Sequence, residues 1–87
     1  MLKFEYDDKK SALNLKKHGI DFIQAQKIWL DSELIEIKAK SKDEIRFLVV
    51  AKMSNKHWSA IITYRGETIR IISVRRSREK EVKIYEG

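Results

Sequence analysis

Residues 57–76 read HWSAIITYRGETIRIISVRR, and their pattern decides the fold. His57–Tyr64 and Thr68–Val74 are two runs rich in β-branched and aromatic side chains, which suit a pleated surface. Arg65–Gly66 between them supplies a tight two-residue hairpin connection. The second run is apolar on both faces, so its strand belongs in the middle of a sheet.

The same alternation continues upstream. Ile45–Lys52 reads as a strand joined to His57–Tyr64 through the turn MSNK, and Leu34–Ile37 as a short strand before the polar turn KAKSKDE. Phe4 and Tyr6 alternate with Lys3 and Glu5, a period of two that marks another short strand. Asp7 or Asp8 can cap a helix over 9–18 that ends at Gly19, with Lys16, Lys17 and His18 in its last turn. Asp21 with Gln24 three residues on begins a second helix, where Phe22, Ala25, Ile28 and Trp29 share a face. Downstream, Ser77 can cap a last short helix carrying Val82 and Tyr85. The expected order is β-α-α-β-β-β-β-α: an α+β fold, an antiparallel sheet covered on one face by two N-terminal helices.

The chain has 87 residues, 43% of them apolar, enough for one folded domain over 1–87. It has no Cys, which removes disulfides, a thiolate nucleophile and Cys-based zinc sites and suits a cytoplasmic protein. No apolar run approaches the ~20 residues that span a bilayer, and MLKFEYDDKK is too acidic for a signal peptide, so no membrane partner is expected. His18 and His57 lie on different elements without ligand spacing, and no phosphate-binding glycine loop is present. Neither a metal nor a cofactor is expected. No serine stands in a nucleophile-elbow context.

The net charge of +6 is unevenly placed. Up to Glu44 there are nine Lys, no Arg and nine acidic residues; beyond it four Lys and six Arg face four Glu. Every arginine, and all the excess charge, therefore falls between 45 and 87. Guanidinium matches phosphate as a planar bidentate donor, whereas lysine is a hydrated point charge. Regular alternation puts Arg70 with Ile72 and Val74, puts Ile69, Ile71, Ser73 and Arg75 on the other face, and puts Arg46 with Leu48 and Val50. A strand arginine among apolar residues is costly unless it is paired, for instance with Glu44 or Glu67, or faces a cleft. Arg75, Arg76 and Arg78 stand where the strand runs out, and with the hydroxyls of Ser73 and Ser77 they either cup a phosphate or form a solvated basic face. His18 either caps the last carbonyls of its helix or serves as an anion contact or an acid, since a helix C-terminus favours cations. Trp58, Tyr64 and Tyr85 are either core and rim or stacking platforms.

Phe4-Glu5-Tyr6-Asp7, Lys9, Asn14, Lys17-His18-Gly19-Ile20, Phe22, Ala25, Glu44 with Arg46, and Ile69-Arg70-Ile71-Ile72-Ser73-Val74-Arg75-Arg76 closely resemble the BrnT family. The resemblance runs over almost the whole chain, and the KHGI-x-F and IRIIS-x-R segments are its distinctive parts. It implies a RelE-like toxin of a bacterial type II toxin–antitoxin system: a metal-independent endoribonuclease that inhibits translation and growth. It also implies a BrnA-type antitoxin as partner, with operator DNA reached only through that antitoxin. Two positions depart from the family pattern. Val74 replaces an alanine, and Ile45 separates Glu44 from Arg46, where the family often has the carboxylate adjacent.

RNA cleavage without a metal needs a base at the 2′-hydroxyl, charge stabilisation at the phosphoryl oxygens and an acid at the 5′-leaving oxygen. On this reading Arg46, Arg70 and Arg75 stabilise the phosphate and His18 is the acid or base, with Lys17, Glu44 and Tyr85 as weaker candidates. Lys17, Arg65, Arg76 and Arg78 would bind RNA. The rival reading is a non-catalytic basic module that holds nucleic acid or an acidic partner and uses the strand arginines as structural ion pairs.

Overall fold

The computed structural model describes residues 1–87. Its elements are β1 (Lys3–Glu5), α1 (Asp8–His18), α2 (Phe22–Ala25), a 3₁₀ turn (Gln26–Leu30), β2 (Ile35–Ala39), β3 (Arg46–Met53), β4 (Lys56–Arg65), β5 (Thr68–Arg76) and α3 (Glu79–Glu86). The five strands form one mixed sheet in the order β1-β5-β4-β3-β2. The β2–β5 meander is antiparallel, but β1 lies parallel to β5, with Phe4 opposite Ile69 and Glu5 opposite Arg70. A wholly antiparallel sheet was expected, and the difference has a topological cause. The chain leaves β1 through α1 and returns along the far edge of the meander, which is the crossover a parallel pair requires. No helix is long and apolar enough to cross a membrane.

Local chemistry sets the boundaries. Asp7 is the cap of α1, its Oδ1 accepting from the amides of Lys9 and Lys10 at 2.8 and 3.0 Å. Gly19 ends the helix with φ +76°, where a side chain would be strained. The second helix is shorter than its apolar spacing implies. After Ala25 it tightens into the 3₁₀ turn, which still buries Ile28. The two-residue connection of β4 and β5 is Gly66-Glu67, not Arg65–Gly66, with Arg65 paired to Thr68. Gly66 has φ +61°, the left-handed first position of a II′ hairpin.

One face of the sheet carries the core. Ile20, Phe22, Ala25 and Ile28 pack on Val49, Ala51, Ala60, Ile62, Ile69, Ile71 and Val74, all buried. The edge-to-face pairs Phe4–Trp29 and Tyr6–Phe22 close the side nearest β1. Helix α1 behaves differently: its buried residues are Ser11 and Asn14, while Leu13 and Leu15 are exposed. This helix docks against the edge of β5 beyond the end of β1, where the strand has unpaired backbone groups. Asn14 satisfies them like a neighbouring strand, with Nδ2 donating to the Val74 carbonyl at 2.8 Å and Oδ1 accepting from the Val74 amide at 3.2 Å. The same Nδ2 donates to the Ile20 carbonyl, and Ser11 Oγ accepts from the Phe22 amide.

The second face is covered only at one end. Helix α3 lies there through Glu81, whose Oε1 accepts from Ser59 Oγ at 2.8 Å. Its cap is Arg78, not Ser77, because the Ser77 hydroxyl bonds Ser59 at 2.7 Å instead. Tyr85 anchors the far end by donating to Asp31 at 2.5 Å.

Candidate active site and nucleic-acid interface

The site begins with a register shift. Ile61 pairs with Ser73 but Ile62 pairs with Ile71, so Ile72 is an extra residue in β5. Beyond such a bulge every side chain changes face. Ile69 and Ile71 point into the core, and so does Val74, which regular alternation would have placed opposite them. Arg70 and Arg75, expected on opposite faces, therefore share the face away from the core: Arg70 opposite Thr63, Ser73 opposite Ile61 and Arg75 opposite Ser59. Arg46 opens β3 on that same face, in line with Leu48 and Val50.

Each of these arginines has a carboxylate. Arg70 Nη1 donates to Glu5 Oε2 at 2.8 Å, from the neighbouring strand in register. The expected partners Glu44 or Glu67 do not reach it. Arg46 Nε does meet Glu44 at 3.3 Å, so the intervening Ile45 leaves the carboxylate beside this guanidinium. Arg65 Nε comes within 3.8 Å of Glu5. The most enclosed pair is Arg75–Glu81, two parallel bonds of 2.8 Å with side chains 25% and 12% exposed. The Arg75 hydrogen bonds, with those from the Arg78 amide and Ser59, outweigh the cost of burial and hold the Glu81 carboxyl at about 2. The guanidinium of Arg75 is in turn pushed above its ordinary range, chiefly by the same bonds.

The remaining residues divide between two places. Arg76 turns to the core face of the sheet rim, its guanidinium 5.6 Å from the centroid of the Trp58 ring, and Arg78 is taken up with the start of α3. Trp58 is buried, and Tyr64 and Tyr85 are engaged by Glu36 and Asp31. Both phenols are pushed up to about 12, Tyr64 first by burial and Tyr85 first by its bond to Asp31, so neither is a ready proton donor near neutral pH. His18 and Lys17 line a cleft of about 470 Å³ between the last turns of α1 and the bulge of β5, together with Lys10, Lys16, Ile72 and Ser73. The cleft thus touches the strand segment between Arg70 and Arg75. Arg46 stands apart, two strands away beside the loop that holds Lys40, Lys42 and Asp43.

Glu5, Glu81 and Asn14 were not recognised as site-forming. Glu81 stands three residues after the cap Arg78 and accepts from its amide at 2.8 Å, a capping spacing that a reading from Ser77 misses. Glu5 and Asn14 find their partners 65 and 60 residues away, and no local pattern carries that information.

No curated protein matches the chain. A protein-family model described as the ribonuclease toxin, BrnT, of type II toxin–antitoxin systems matches residues 6–81, most of its length.

Proposed function

The chain belongs to the BrnT family of ribonuclease toxins of type II toxin–antitoxin systems, and we propose that it is a metal-independent endoribonuclease acting from the uncovered face of its sheet. The observation that carries this reading is the bulge at Ile72. It gathers Arg70, Ser73 and Arg75 on one face, beside the cleft that holds His18 and Lys17. An extra residue kept inside a central strand, next to such a set of side chains, re-aims chemistry at a small cost in pairing.

In the proposed reaction the RNA 2′-oxygen, losing its proton, attacks the adjacent phosphorus and the bond from phosphorus to the 5′-oxygen breaks. The products are a 2′,3′-cyclic phosphate and a 5′-hydroxyl. Arg70, with four of its five donors free of Glu5, is the principal contact to the developing charge. Arg75 gives three of its donors to Glu81 and the Arg76 carbonyl, so it orients more than it binds. Arg46 extends the phosphate contacts across the sheet. His18 transfers the proton. Lys17, Arg65, Arg76 and Arg78 hold the flanking RNA by charge.

The family places this chain beside a cognate antitoxin. We take that partner to be BrnA-type, covering the same basic face and α3 and carrying the operator-DNA contacts itself. The fold is read as RelE-like, one toxin domain, acting on RNA in the cytoplasm to arrest translation. Expression without the antitoxin should stop bacterial growth and deplete mRNA, and R70A should relieve both while the protein stays folded by circular dichroism. A wild-type chain that leaves growth and RNA intact refutes the enzymatic reading. One observation favours the rival, a basic module that binds without cutting: Arg46, Arg70 and Arg75 all meet carboxylates. It predicts salt-dependent RNA binding with no product over hours.

A further inference from the structure

Arg46, Arg65, Arg70 and Arg75 are compensated by carboxylates, but the cations of the cleft beside β5 are in no ion pair. None of the ion pairs in the molecule involves Lys10, Lys16, Lys17 or His18. No carboxylate lines that cleft. Three lysines therefore converge on one concave surface without an ion-pair partner, the nearest opposing charge being Asp7, whose carboxyl Lys10 helps to hold below its ordinary range. We propose that this cleft holds a backbone phosphate of single-stranded RNA, with Lys10 and Ser73 as contacts beside Lys17. The proposal rests on the RNA-cleaving reading above and adds to it where the strand lies.

The geometry is that of a built groove. Lys10, Asn14 and Lys17 follow one another at helical spacing along a single stripe of α1. Asn14, at the centre of the stripe, is buried and clamped to both backbone groups of Val74. The clamp fixes the lysine-bearing side of the helix against the bulge and keeps the groove from closing or sliding. Lys10 and Lys17 are separated by about 10 Å along the axis, a gap that two flexible lysine stems close from opposite sides. Ser73 supplies a hydroxyl on the strand wall, for a non-bridging phosphate oxygen.

One effect opposes the proposal, and its size decides the matter. The cleft is near the C-terminal end of α1, whose dipole amounts to roughly −0.5 charge and repels an anion. Against that stand three lysines, whose combined charge is several times larger. The phosphate accordingly lies within reach of the side chains and away from the last carbonyls. Lysine contacts are point charges, so this subsite contributes affinity and placement without reading the bases.

The test is fluorescence anisotropy with a single-stranded 2′-O-methyl RNA oligonucleotide, which cannot be cleaved, over a salt series. K10E and K17E replace exposed residues, and thermal melting checks that both stay folded. Each should weaken binding about 10-fold or more and lower the salt slope by about one. S73A should weaken binding about threefold with the slope unchanged. If K10E and K17E bind as wild type does while R70A binds less, the cleft is not the phosphate subsite, although RNA remains the ligand. If wild type does not bind the oligonucleotide at any salt concentration, RNA recognition itself fails, and this subsite with it.

Discussion

At the scale of single residues, Glu81 is the most consequential side chain that is not basic. Its carboxyl is held at about 2 against an ordinary 4.5, first by Arg75 and then by the Arg78 amide and Ser59. A carboxyl depressed in the folded state adds stability that is fully present above the unfolded value. That stability is lost as pH falls through the folded value. Wild type should therefore lose stability between about pH 4.5 and about pH 2, by on the order of 2–3 kcal/mol from this group. E81Q should remove that part of the slope and lower the urea midpoint at neutral pH; an unchanged acid profile would deny Glu81 this role. His18 makes a different kind of prediction. If it moves the proton, H18A lowers the cleavage rate by roughly 10²- to 10⁴-fold, and added imidazole restores part of it. A merely capping histidine would show neither the loss nor the rescue.

At the scale of elements, much was legible and the exceptions have causes. The strands of the meander, the Asp7 and Asp21 caps and the Gly19 stop follow from local alternation and capping chemistry, and they appear within a residue or two of their expected bounds. The bulge was not legible, because Ile71-Ile72 is apolar at both positions and either register buries one of them. The error it introduced separated Arg70 from Arg75 and hid the shared face of the site. The parallel docking of β1 was equally hidden, since a three-residue strand says nothing of which edge it joins. The docking of α1 carries no apolar pattern in the sequence, because its buried side is polar, fitted to a strand edge and not to a core. That fit has a measurable weight. N14A leaves the Val74 amide and carbonyl and the Ile20 carbonyl without partners, and should cost roughly 2–4 kcal/mol in denaturant unfolding. A loss under about 0.5 kcal/mol would mean the edge is satisfied in some other way.

At the scale of the whole molecule, the net +6 resolves into two populations. Arg46, Arg65, Arg70 and Arg75 are tied to carboxylates, while the lysines of α1 are in no ion pair, so beside the bulge those lysines are the cations most open to a polyanion. Raising salt should weaken RNA binding steeply through those lysines. The chemistry should depend on salt less, because Arg70 acts at contact distance. Proposed catalysis and substrate capture are thus divided between the sheet face and the helix beside it, joined at the bulge. The most direct test incubates the purified chain, freed of any antitoxin, with single-stranded RNA in excess EDTA and analyses the product ends. The expected result is cleavage to 2′,3′-cyclic phosphate and 5′-hydroxyl termini, reduced about 100-fold or more in folded R70A. RNA left intact by folded wild type, or cut equally well by R70A, would contradict the account.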